Sequence, residues 1–132
     1  MDIIPYSPAD HSDLVAAWWR HHRGTVLQVA MLPPAGVVAV DGGGPCAALW
    51  LHLSVGIGVG FLENPVSRPG MRLADSRKAF LLMMECLEDV ALTHDYGVLV
   101  VHPEATMCRV LEGYGYHFAT NRPVYTGIKP LR

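Results

Sequence analysis

The sequence is short of several things at once, and each shortage removes a class of protein. It has three cysteines. Cys46, Cys86 and Cys108 are odd in number and widely spaced in apolar surroundings, so they read as free thiols in a reducing compartment rather than as a disulfide framework. A cytoplasmic protein is expected. There is no excess of positive charge: 10 Lys and Arg stand against 12 Asp and Glu, a formal net charge of -2. Nothing supplies the basic footprint that nucleic-acid phosphates require, and no nucleic-acid partner is expected.

No long apolar run is free of turn residues. The stretch from Pro45 to Leu62 comes closest, but its glycines, His52 and Ser54 break it into two strands. The opening MDIIPYSPADHSD has no basic region leading into an apolar one. Neither a membrane span nor a signal peptide is expected. His21 and His22 close the first helix, while His52, His94, His102 and His117 are scattered, with no His or Cys pair at metal-ligand spacing. No metal is expected. Gly-x-Ser-x-Gly, Walker and dinucleotide fingerprints are absent. Gly56-Ile-Gly58-Val-Gly60 lacks the later glycine spacing and sits within a strand rather than at a strand-to-helix turn.

What is present suits one folded domain over residues 1–132. Hydrophobic residues make up 51% of the chain and charged ones 17%, and 132 residues are enough for a core without staples. Ile3 to Tyr6 reads as a strand, followed by turn residues and a helix capped at Asp10 or Ser12. Leu14, Ala17 and Trp18 supply that helix's apolar stripe to about His22, which puts Trp19 at the stripe's edge. Thr25 to Leu32 is a β-favouring run cut off by Pro33 and Pro34.

Gly36–Val40 and Cys46–Leu53 form a hairpin around Asp41–Pro45, and Val55 to Leu62 adds a third strand. Glycine within a strand marks a bulge or a close backbone approach, so Gly56, Gly58 and Gly60 are of interest there. After a turn-rich stretch from Asn64 to Ala74, Asp75 or Ser76 caps a long helix to Thr93. Ala79, Phe80, Met83, Leu87, Val90 and Ala91 hold its period. Val98–Val101 is a strand buried on both faces, and Glu104–Glu112 is a helix. Tyr116–Thr120 and Val124–Ile128 are short strands around Asn121-Arg-Pro123. The order is β-α-β-β-β-α-β-α-β-β, a mixed α/β (α+β) fold.

Two stretches carry a family resemblance that spans essentially the whole chain. Glu63-Asn-Pro65-Val-Ser-Arg68-Pro-Gly70 resembles the V-x-P-x-x-R strand exit of the Gcn5-related N-acetyltransferase superfamily. Glu112-Gly-Tyr-Gly115-Tyr116 is similar to the superfamily's Y-E-K-x-G-F segment. The resemblance implies a mostly antiparallel central sheet flanked by helices, acetyl-coenzyme A as co-substrate, and a small-molecule or peptide amine as acceptor. It also implies a pyrophosphate loop of pattern R/Q-x-x-G-x-G/A before the long helix, where glycines let backbone N–H groups converge on phosphate. Here that loop is Arg68-Pro69-Gly70-Met71-Arg72-Leu73-Ala74. Arg68 matches the first position, while Met71 and Leu73 replace the glycines.

From the resemblance, the cofactor-binding candidates are Arg68, Gly70, Arg72 and Ser76, with the backbone N–H groups of Phe61 and Leu62 for the thioester carbonyl. Arg68, Arg72, Arg77 and Lys78 are either phosphate ligands or solvated charges on a turn. Glu63 is the candidate base, or a solvent-facing residue at a strand end. The superfamily's acidic Tyr aligns with Leu111. Tyr114 and Cys108 are the substitutes nearby, the latter alternatively a buried inert thiol, while Tyr116 aligns with a core aromatic. Trp18, Trp19 and His22 fit packing, dimerisation or a ligand equally. Three function classes follow: an N-acetyltransferase, an inactive module of the same fold, and a homodimeric scaffold joined through sheet edges.

Overall fold

The computed structural model describes residues 1–24, 31–118 and 127–131. In chain order the elements are β1 (Asp2–Pro5), α1 (Pro8–Arg23), β2 (Ala35–Asp41), β3 (Gly44–Leu53), β4 (Val59–Ser67), α2 (Leu73–Thr93), β5 (Val98–Val101), α3 (Ala105–Glu112), β6 (His117–Phe118) and β7 (Gly127–Pro130). The order of strands and helices is the one the sequence implies. Among the described residues the strands form one seven-stranded sheet, β1-β2-β3-β4-β5-β7-β6. Every pairing is antiparallel except β4 with β5.

Period-two alternation divides the apolar residues between two faces. Val38, Ala48, Trp50 and Val66 meet Val15, Trp18 and Trp19 of α1 on one face. Val37, Ala39, Leu49, Leu51, Leu62 and Leu99 meet Met83 and Leu87 of α2 and Leu111 of α3 on the other. The central strand β3 is therefore apolar at nearly every position because both of its faces are covered. No described helix is long and apolar enough to cross a membrane.

Trp50 is fully buried, and its indole lies over Gly36, the residue directly opposite on β2. A Cβ at position 36 would come within 2.5 Å of the Trp50 ring. Tyr6, edge-on, and Trp19, tilted, pack against that ring at centroid distances of 5.0 and 5.5 Å, so it has nowhere to retreat. Gly36→Ala is expected to lower unfolding free energy by roughly 1–3 kcal/mol, read as a drop in the urea midpoint at unchanged slope.

Several boundaries differ from the sequence reading. Helix α1 begins at Pro8 after Ser7, not at Asp10 or Ser12, because proline fits the first helical turn without losing a hydrogen bond. Its buried stripe is His11, Val15, Trp18 and Trp19, whereas Leu14 is exposed. Trp19 is thus core rather than edge. His11 holds an inward position because its Nδ1 accepts the Ser7 N–H at 2.9 Å. Helix α2 starts at Leu73, so Asp75 and Ser76 lie in its first turn instead of capping it.

Strand β4 runs from Val59 to Ser67 rather than from Val55 to Leu62. Residues 54–58 form the turn before it, with Gly56 and Gly58 at positive φ. Of the expected run Thr25–Leu32, residues 25–30 lie outside the described residues, as do 119–126 of the last two expected strands; β7 continues to Pro130.

Candidate functional site

The central irregularity is in β4. Val66 stands opposite Ala48 and Glu63 opposite Trp50, so Asn64 and Pro65 face the single residue Leu49. This is a β-bulge. Asn64 takes φ +55, a conformation that asparagine tolerates better than most residues, and Pro65 has no N–H to withhold from a ladder. The extra residue reverses the alternation: Leu62 points to the α2 face and Val66 to the α1 face.

The bulge lies just past the point where β4 loses its neighbour. Its parallel pairing with β5 covers Val59 to Leu62 against Val98 to Val101 and stops there. From Glu63 to Ser67 one edge of β4 has no strand partner among the described residues. A cavity of about 510 Å³ occupies the opening, within the size range of small-molecule sites and at the carboxyl ends of two parallel strands. Leu49, Leu62 and Val101 form its apolar floor. Leu73, Ser76, Arg77 and Phe80 of α2 make one wall, and Thr106, Met107 and Leu111 of α3 another. His22 and Arg23 reach it from the end of α1, and His102 and Glu104 from the segment after β5. Since α1 and α2 cover opposite faces, the opening connects both sides of the sheet.

At the amino end of α2 the first intrahelical bond is Ser76 N–H to the Arg72 carbonyl, 3.0 Å. Among the described residues no side chain caps the helix. The N–H groups of its first turn therefore point outward with the positive end of the helix dipole, an arrangement that favours an anion. Arg77 adds a guanidinium whose Nε is buried without a partner among the described residues.

The residues expected from sequence are distributed unevenly around this site. Leu62 and Ser76 line the cavity. Phe61 is half-buried in the paired part of β4, opposite Val100. Glu63 follows Leu62 but faces the other way, beside Trp50 on the α1 face, half-buried and outside the cavity wall. Gly70 sits at φ +79 as the second residue of an exposed Pro-Gly turn, the position that favours glycine. It supplies the bend and no cavity wall.

Arg68 and Arg72 have partners elsewhere. The Arg68 guanidinium grips Asp41 of β2 with two bonds, 2.7 and 3.2 Å, and reaches the Pro45 carbonyl at 3.4 Å. It ties the loop to the β2–β3 hairpin. Arg72 pairs with Asp75 at 2.7 Å and is 83% exposed. Lys78 is exposed as well. Arg77, fourth of the basic group, is the one that enters the cavity.

Cys108 is buried, its thiol directed at the Glu104 carbonyl at 3.7 Å. Burial first, and then the charge of Glu112, raise its pKa. Tyr114 is exposed beyond α3 and does not line the cavity. Tyr116 is core: burial first and Glu88 second push its hydroxyl well above the usual range, and it donates to Glu88 Oε1 at 3.2 Å. Leu111 stands in the cavity wall where the resemblance would place a tyrosine.

The Arg68 hydrogen bond, with the Gly43 N–H second, holds the Asp41 carboxyl below its ordinary value of 3.8. A lowered folded-state value means that the folded protein binds fewer protons across that window. Its contribution is complete above the ordinary value and is lost as pH falls through the lowered one. Asp41→Asn is expected to flatten the acid limb of melting temperature against pH below about pH 4.

Sequence reasoning missed Arg23, His102 and Glu104. The one cue available was position: His102 and Glu104 directly follow a strand's carboxyl end, where α/β sheets place ligands.

No family model and no curated protein matches the chain by sequence. Solved structures do match it. An aminoglycoside 6'-N-acetyltransferase from Enterococcus faecium superposes with TM-score 0.81 at 13% identity, covering 100% of this chain and 98% of that one. The ribosomal-protein-S18-alanine N-acetyltransferase from Escherichia coli gives 0.76 at 13% identity over 98% and 93% of the two chains. An aminoglycoside 6'-N-acetyltransferase complexed with coenzyme A gives 0.78 at 14% identity over 100% and 98%. The parted β4–β5 pair, the strand order and these superpositions agree: the chain has the fold of the Gcn5-related N-acetyltransferase superfamily.

Proposed function

We propose that the chain is an acyl-coenzyme A-dependent N-acyltransferase that moves acetyl from acetyl-coenzyme A to an amine. The observation that carries this reading is the opening between β4 and β5, with an unpaired strand edge on one side and an uncapped helix amino terminus on the other. A ligand made of amide units and phosphates needs both. The edge from Glu63 to Ser67 offers backbone groups to the amides, and the first turn of α2, Ser76 and Arg77 face the phosphates. The apolar floor of Leu49, Leu62 and Val101 excludes water from the thioester.

In the reaction the acceptor ammonium first gives up one proton, the freed nitrogen attacks the thioester carbonyl carbon, the C–N bond forms, the C–S bond breaks, and the second proton leaves the nitrogen for solvent. With the donor on the α2 side, the amine approaches through the opening from the α1 face. Glu63 projects to that face, and its carboxylate has no hydrogen-bond or ion-pair partner among the described residues. It is the group to take the first of these protons, from the ammonium. Leu111 supplies no acid for the departing sulfur. A thiol has a reference pKa of about 8.5, so a thiolate leaves tolerably near neutral pH and water protonates it. The missing acid lowers the rate without preventing the reaction.

Calorimetry with acetyl-coenzyme A, followed by thiol release in the presence of amines, tests the reading. Micromolar to submillimolar binding with amine-dependent release is expected; no binding at millimolar concentration would refute it. A second reading, an inactive binding module, is favoured by Leu111 in the wall and by the commitment of Arg68 and Arg72 to carboxylates. Binding without release for any amine class would establish it.

A further inference from the structure

The cavity carries more positive charge than negative, divided between the two faces of the sheet. Arg77 enters from α2 and Arg23 from α1, Glu104 is the one carboxylate on the described wall, and His22 and His102 add imidazoles. In the reading above, on which this inference rests, Arg77 lies with the donor phosphates. Arg23 is then left on the acceptor side, with no ion pair among the described residues.

Basic residues at a helix carboxyl end commonly do no more than complement the dipole, and α1 ends in four of them, Arg20, His21, His22 and Arg23. Only the last two line the cavity. His22 Nε2 donates to the Ser67 carbonyl at 2.8 Å, which pins the end of α1 to the open edge of β4, 45 residues away. The basic end of the helix is thereby held at the mouth of the opening. With Arg77 facing the donor phosphates, a polycationic amine entering there would meet the Arg23 guanidinium at the mouth.

We propose that Arg23, positioned by the anchored His22, binds an anionic group on the acceptor. The acceptor is then a primary amine that also carries a carboxylate or a phosphate, not a polyamine. Arg23 presents a planar fork of donors that suits either anion.

The test uses amines that share a two-carbon core: ethanolamine, serine and O-phosphoethanolamine, with spermidine as the polycation, each with acetyl-coenzyme A and thiol release as readout. The wild type is expected to prefer at least one anionic amine over ethanolamine by about ten- to a hundred-fold in kcat/KM, the range of a charge-assisted hydrogen bond, and to use spermidine least. Serine against O-phosphoethanolamine separates carboxylate from phosphate. Arg23→Gln should reduce the preference to near unity without altering the calorimetric affinity for acetyl-coenzyme A.

Melting-temperature shifts of the coenzyme A-saturated protein give the same ranking for amines that do not turn over. Ethanolamine or spermidine performing as well as the anionic amines, in turnover or in melting shift, would overturn the proposal, as would a preference untouched by Arg23→Gln. Normal acetyl-coenzyme A binding with no charge preference defeats this subsite alone. Absent acetyl-coenzyme A binding defeats the donor reading, and this inference with it.

Discussion

Ser76→Glu is expected to leave the protein folded and to weaken acetyl-coenzyme A binding by at least about a hundred-fold. The two effects have opposite signs, which makes the substitution informative. Ser76 lies in the first turn of α2, where a carboxylate favours the helix by roughly 0.3–1 kcal/mol through the dipole, so stability should hold or rise slightly. The same carboxylate would stand in the cavity wall beside the place proposed for the donor phosphates. Two like charges 4–5 Å apart at an effective dielectric of 20 repel by about 3–4 kcal/mol, or two to three powers of ten in affinity. Calorimetry measures the affinity, and urea unfolding shows that the fold is intact. Unchanged binding would remove the α2 terminus from the site.

Glu63→Gln should lower kcat by about a hundred- to ten-thousand-fold, the usual contribution of a general base, while the affinity for acetyl-coenzyme A changes little. The side chain faces away from the cavity that receives the donor, which is why the two effects separate. A structural role would not produce that separation. The deficit should also narrow as pH rises toward the amine's own ionisation, near 10 for an alkylamine, because the acceptor then loses its proton to solvent. An equal loss at every pH would point instead to misplaced substrate.

The element order was legible because its cues are local. The period of α2 from Ala79 to Ala91, the Gly and Pro punctuation around β2 and β3, and the compact run Val98–Val101 need no tertiary knowledge. Strand β4 was misjudged because Pro65 reads as a strand breaker. At a bulge beside an open edge, a residue without an N–H breaks nothing. The stripe of α1 was displaced because His11 takes an inward place that periodicity reserves for apolar side chains. Its Nδ1 finds the Ser7 N–H, a partner visible only once the helix start is known.

The site was less legible than the fold, for a physical reason. The loop was expected to present Arg68 to a ligand, but Asp41 lies 27 residues earlier and meets it only through the β2–β3 hairpin. Conversely, His22, Arg23, Arg77, His102 and Glu104 come together from three segments that share no motif. Of the four loop-region candidates the resemblance offered, Arg68, Gly70, Arg72 and Ser76, the one that lines the cavity is Ser76, at the start of the long helix.

The central claim is that acetyl-coenzyme A lies between the open edge of β4 and the amino end of α2. Titrating it into the isotopically labelled protein while following backbone amide resonances tests that claim most directly. The account predicts the largest shifts at residues 63–67, excepting Pro65, and at Leu73, Ala74, Asp75 and Ser76, with little change along β1 and β2. Shifts confined to other surfaces, or none at saturating ligand, would contradict it.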